Sequence, residues 1–123
     1  MKANELRIGN YVNADGNYKK VYNLYSNGWD FLHDDIDCRF VEYQNTKPIP
    51  LTEEWLLKFG FEKTNESKEV EWYVFNGFEV STYNEGETVY FVYQHLVLRH
   101  IVSVHQLQNL FFALTNKELT LKL

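Results

Sequence analysis

The side chains able to do chemistry are few and scattered along the 123 residues. His95, His100 and His105 recur at a regular interval. A zinc-protease site needs two histidines four apart on one helix with a glutamate between them, and that pattern is missing. Polar surface or partly buried roles are expected for all three. Asp34, Asp35 and Asp37 follow His33 in an acidic loop. Carboxylates bind hard cations, but the spacing and closing glutamate of a calcium loop are absent, so a solvated connection is expected. Cys38 precedes Arg39, whose charge favours a thiolate, yet strand alternation sends neighbouring side chains to opposite faces. An inert thiol is the expectation. Glu71 and Glu79 flank a hairpin and would share acid–base work if one sheet face held both. No serine or threonine lies in a nucleophile motif, and the six glycines are dispersed through turns rather than gathered into a phosphate loop. Residue types and spacing therefore specify no catalytic residue, metal site or cofactor.

Recognition has better material. Nine Tyr, nine Phe and three Trp make the chain 17% aromatic, and most of these rings are expected to fill a small core. Tyr73, Phe75, Tyr83, Tyr90 and Tyr93 are the candidate exposed rings, interleaved with acidic residues on strands. Rings on a sheet can stack bases, but that use pairs them with a positive backbone track. Here Glu71, Glu79, Glu85 and Glu87 would oppose it. The same surface, Glu71 and Glu79 included, suits a protein partner better, with Tyr supplying rigid contact area. The competing nucleic-acid site would lie in the amino-terminal part, where Lys19, Lys20 and Arg39 offer a local basic patch.

Charge and length narrow the classes. The formal charge is −5, with six Lys/Arg against seven Asp/Glu in residues 1–50 and six against ten thereafter. Neither part generates the field that phosphate binding needs, so nucleic acid is a disfavoured partner. One cysteine excludes an intrachain disulfide and a multi-cysteine zinc site. The first residues lack the apolar core of a secretion signal and no apolar run approaches a membrane span, so a soluble, cytoplasmic protein without a membrane partner is expected.

The positioning elements can be read from punctuation and period. Leu6–Val12 leads into a strand, and Asp15-Gly16-Asn17 is a hairpin signal. Tyr18–Tyr25, Trp29–Leu32 and Cys38–Tyr43 read as further strands. Short strands at this spacing suggest a bent sheet or an SH3-like barrel over residues 1–47. Pro48 and Pro50 then break the chain, Thr52 can cap a short helix with Trp55, Leu56 and Phe59 on its apolar face, and Gly60 closes it. Alternation from Val70, with turns at Asn76-Gly77 and at residues 84–87, predicts a three-stranded antiparallel meander. Ser103 and Gln106 match a capping box opening a helix whose stripe is Val104, Leu107, Leu110, Phe111 and Leu114. Alternating Leu119, Leu121 and Leu123 suggest a last short strand. The expected fold is α+β: the small β subdomain, then an α+β subdomain over residues 48–123.

Three segments, Leu6-Arg-Ile-Gly-Asn10, Pro48–Phe61 and Val104–Thr115, resemble a group of small uncharacterised proteins encoded in Bacteroidota genomes and their phages or mobile elements. The resemblance implies full-length membership of one family. It brings no activity and no catalytic residue, and a mobile-element setting favours a protein that binds or inhibits another protein. The sequence is thus read as a non-enzymatic, intracellular protein-interaction or accessory protein, with homodimerisation through an uncovered strand edge as an aid. A nucleic-acid-binding module and a small hydrolase are the alternatives.

Overall fold

The computed structural model describes residues 1–66, 70–83, 88–93 and 96–122. The chain divides into two compact units. The first comprises Met1–Pro50 with Ser103–Thr115, and the second Leu51–Val102 with Asn116–Leu123. Compared with the boundary expected at residue 47, the main difference is that the long carboxy-terminal helix belongs with the amino-terminal strands.

In the first unit, β1 (Tyr11–Ala14) and β2 (Asn17–Lys20) form the expected hairpin. Asp15 and Gly16 at its turn both take positive φ. The run Tyr18–Tyr25 is not one strand. Val21 still bonds to Asn10 and Gly9, but the Tyr22 N–H turns to the carbonyl of Asp30, so the chain changes sheets there. It continues as β3 (Asn23–Leu24), β4 (Gly28–Leu32) and β5 (Cys38–Glu42), and returns to β1 through β6 (Thr46–Lys47).

The result is two open three-stranded sheets, ordered β2-β1-β6 and β3-β4-β5. This corrects the SH3-like barrel. Neither of these sheets closes or curls, because the partner switch at Val21–Tyr22 leaves two separate hydrogen-bond ladders. Leu6, Val12, Ala14, Val21, Trp29 and Val41 form a buried cluster drawn from both sheets. Trp29 is its largest member, and its indole N–H donates to Thr46 Oγ1 at 2.7 Å, as a buried indole must find an acceptor.

The helix α2 (Val104–Thr115) completes this unit. Of the expected capping box, the Ser103 N–H donates to Gln106 Oε1 at 3.2 Å. Val104, Leu107 and Phe111 are buried as the stripe requires, but Leu114 is exposed. Two amides on α2 grip the segment before β1. Gln108 accepts from the Tyr11 N–H at 2.9 Å and donates to the Gly9 carbonyl at 3.0 Å. Asn109 Oδ1 accepts from Arg7 at 3.0 Å and Asn10 at 2.8 Å, while its amide nitrogen donates to the Glu5 carbonyl at 3.0 Å. The Arg7 guanidinium also lies 3.9 Å over the Phe112 ring. Leu6–Asn10 and Val104–Thr115 are therefore the two halves of one clasp.

The second unit begins with α1 (Glu53–Lys58). Thr52 stands at its N-cap with extended backbone but makes no capping hydrogen bond from its side chain. The stop is stronger. Gly60, at φ 98°, takes the left-handed conformation, its N–H bonding Leu57 O and that of Phe61 bonding Leu56 O, each at 3.0 Å. This double bond pattern closes a helix on glycine. Trp55, Leu56, Phe59 and Phe61 are all buried, as so short a helix requires.

The expected three-stranded meander is the centre of a five-stranded antiparallel sheet. Its strands are β7 (Glu62–Glu66), β8 (Val70–Phe75), β9 (Phe78–Tyr83), β10 (Thr88–Tyr93) and β11 (Leu96–His100), in the order β11-β10-β9-β8-β7. Asn76 and Gly77, both at positive φ, form the turn that was read from sequence. The turn expected at 84–87 lies outside the described residues. No strand forms at the carboxy terminus up to residue 122, although the Lys122 N–H bonds the carbonyl of Lys58 at 2.6 Å. Leu123 lies outside the described residues. Among the described residues no helix is long and apolar enough to cross a membrane.

Candidate recognition groove

The meander residues expected to form one surface are divided by the sheet's own register. Pairing of Glu71 with Thr82, Tyr73 with Val80 and Phe75 with Phe78 places Glu71, Tyr73 and Phe75 on one face. Pairing of Val74 with Glu79, and of Ser81 with Tyr90, places Glu79, Tyr83 and Tyr90 on the other. Tyr73 is 1% exposed, a core ring rather than a contact ring. Its hydroxyl donates to Glu71 at 2.6 Å, and burial together with this bond pushes the phenol's pKa up. The same hydrogen bond holds the Glu71 carboxyl below its ordinary value, despite some desolvation. Lys63 adds 3.4 Å to Glu71 and 3.3 Å to Glu53. Phe75 packs on Phe61 at 5.4 Å. Tyr83 and Tyr90 form an edge-to-face pair at 5.6 Å, half-buried. The side chain of Tyr93, with residues 85 and 87, lies outside the described region.

The candidate chemical groups are dispersed as well. Glu71 and Glu79, on opposite faces of the sheet, cannot flank one substrate. His105 is buried, and its Nδ1 lies 3.2 Å from Ser103 Oγ at the start of α2. Burial lowers its pKa, offset in part by the charge of Glu5. Ser103 is buried too, so this pair reads as a packed helix terminus rather than a nucleophile and base open to substrate. His95 and the side chain of His100 lie outside the described residues. Cys38 is exposed and unpaired, but desolvation and the charges of Asp30 and Asp37 raise its pKa, the reverse of thiolate activation by Arg39. Arg39 instead bonds Asp37 at 3.0 Å. Among the described residues no three His, Cys, Asp or Glu side chains converge to hold a metal ion.

The structure gathers a different set, in the first unit. Ile8, Tyr18, Tyr22, Tyr25, Leu32, Ile36 and Phe40 all stand exposed there within residues 8–40; among the described residues of the second unit the exposed large apolar side chains are Leu57 and Val102. Five of the residues around the partner switch line a groove of about 510 Å³: Tyr18, Lys19, Lys20, Val21 and Tyr22, facing Ile8, Gly9, Phe31 and Leu32. Its charged lining residues are both lysines. Lys19 Nζ lies 4.8 Å above the Phe31 ring, a lining residue, while Lys20, next along β2, holds its Nζ 6.0 Å from the ring of its cross-strand neighbour Tyr11. A second patch sits on β4 and β5, where the Phe40 ring crosses Gly28 beside Tyr25 at 6.1 Å. A Cβ on Gly28 would come within 2.5 Å of that ring and 2.3 Å of the Val41 carbonyl.

Of the basic trio, then, Lys19 and Lys20 share a site and Arg39 is engaged elsewhere. Tyr18–Tyr25 taken as one strand alternates between core and solvent, a pattern that does not point to a groove. The visible signal is the run Tyr18-Lys-Lys-Val-Tyr22, where rings alternate with cations. No protein-family model matches the chain, and comparison with curated proteins and with solved structures finds no match.

Proposed function

We propose that this protein is a noncovalent recognition or accessory protein whose contact surface is the groove of the first unit, and that the partner is a protein segment carrying acidic and apolar side chains. One observation carries the reading: four exposed apolar side chains, Ile8, Tyr18, Tyr22 and Leu32, line one groove whose charged lining residues are Lys19 and Lys20. Exposed apolar surface of this kind marks interaction sites, and cations at its margin select an acidic partner. The lining rings Tyr18 and Tyr22 are about half exposed, which suits an open groove for an extended segment better than an enclosing pocket for a small molecule. An unpaired, unactivated thiol is in keeping with a reducing, cytoplasmic setting. The resemblance to proteins of phages and mobile elements favours the same class.

Rings beside lysines are also the components of a single-strand-binding site, so the test includes nucleic acid. Fluorescent acidic–apolar peptides and short single- and double-stranded oligonucleotides are titrated at low and moderate salt. The expected result is peptide binding that weakens with salt and is lost in the Lys19→Glu/Lys20→Glu double variant. Lysine-dependent binding of oligonucleotides without peptide binding would replace this reading with the nucleic-acid one. No binding of either class at low salt would overturn it.

A further inference from the structure

Resting on that reading, we infer that the groove's occupant is the Asp34–Asp37 loop of a second copy of this chain, with Ile36 as its apolar anchor. The loop has the chemistry that the groove lacks. Ile36 is 94% exposed at its tip, between Asp35 and Asp37, so this β-branched apolar side chain gives almost nothing to its own fold. The loop also holds its shape. Asp34 Oδ1 accepts from the N–H groups of Ile36 at 3.0 Å and Asp37 at 2.9 Å, and the His33 N–H closes on the Asp37 carbonyl at 2.7 Å. A prearranged tip loses little conformational freedom when it docks. The Ile36 hydrogen bond, against slight desolvation, keeps the Asp34 carboxyl below its ordinary value and therefore ionised. Asp37 is partly neutralised by Arg39, which leaves Asp34 and Asp35 to meet Lys19 and Lys20.

Position sets the symmetry. Leu32 lines the groove and His33 begins the loop, so donor and acceptor surfaces adjoin at the end of β4. A two-fold axis near this junction sets each loop over the other copy's groove. The contact is then self-complementary and stops at two molecules. It also explains how a chain of charge −5 would associate with itself, by matching local charges of opposite sign.

The experiment is sedimentation equilibrium of the whole chain over a wide concentration range at low and moderate salt, with circular dichroism as the folding control. The wild type is expected to dimerise, less tightly at higher salt. Ile36→Asp, at a side chain with almost no contacts to lose, should shift the dimer dissociation constant at least tenfold, as should Lys19→Glu/Lys20→Glu. Asp35→Lys should weaken self-association alone but restore a heterodimer when mixed with Lys19→Glu/Lys20→Glu. The acidic peptides should compete with the dimer. A wild type that stays monomeric throughout, or a dimer indifferent to Ile36→Asp, overturns the inference. If the monomer nevertheless binds acidic peptide through Lys19 and Lys20, the recognition groove survives and only its occupant changes. If the lysine double variant binds peptide as well as the wild type does, the groove reading fails too.

Discussion

The two units draw on the same residue types and use them differently. In the second, Trp55, Phe59, Phe61, Tyr73, Phe78 and Phe91 are buried. A five-stranded sheet with a docked helix offers broad apolar cover. In the first, Trp29 and Phe111 are buried, while Tyr18, Tyr22, Tyr25 and Phe40 remain at the surface. Two narrow sheets cannot cover so many rings, and part of the adhesion between strands and helix is carried by the amides of Gln108 and Asn109. An aromatic-rich composition is thus no guide to function by itself. The informative rings are those the fold leaves outside, beside cations without a carboxylate partner among the described residues.

The sharpest way to break this contrast is to remove one core ring from each unit. Trp29→Ala and Phe91→Ala should each cost about 3–5 kcal/mol in urea unfolding, the usual penalty for emptying a well-packed aromatic site. A small loss at Trp29 would mean that the first unit lacks a core of its own. Next in size is the clasp. Gln108→Ala strands the Tyr11 N–H and the Gly9 carbonyl and should cost about 1–3 kcal/mol. Retention of wild-type stability would show that water replaces both bonds.

Acid should separate the units by their slopes. Burial holds the His105 pKa below its ordinary 6.5, so the unfolded chain takes up the proton more readily than the folded one. Its contribution is full above 6.5 and is lost as pH falls from there toward the depressed value. Glu71, held below its ordinary 4.5 chiefly by Tyr73, contributes fully above 4.5 and loses that contribution only as pH falls further. Stability measured from pH 8 to 3 should therefore fall in two ranges. His105→Gln should flatten the upper and Glu71→Gln the lower. The smallest effect is expected at the surface, where Tyr22→Ser should change stability by less than about 0.5 kcal/mol while weakening partner binding. A large stability loss there would make Tyr22 a structural ring and shrink the proposed groove.

Much of the fold was legible where a few neighbouring residues decide the outcome. Asp15-Gly16 and Asn76-Gly77 turn the chain, Gly60 ends α1 through bonds to residues three and five positions back, and Gln106 engages Ser103 within one turn. The same local reading overreached at Thr52, whose side chain does not cap, and at Leu119 and Leu121, whose alternation forms no strand among the described residues. The candidate site was less legible. The meander rings were assigned to one surface, but strand register alone sets which of them share a face, and it splits Tyr73 from Tyr83 and Tyr90.

By itself, then, the sequence determined the turns, the helix stop, the two helices and the central meander, because backbone bonds within a few residues specify them. The tertiary structure decided that two open sheets replace a barrel, that α2 joins the amino-terminal unit, and that Tyr18–Tyr22 line one groove with Ile8 and Phe31. Those outcomes rest on partners far apart in the chain, such as Gln108 with Gly9 and Tyr11. Period and propensity show only that such residues will seek partners; the packing of the whole unit selects which ones they find.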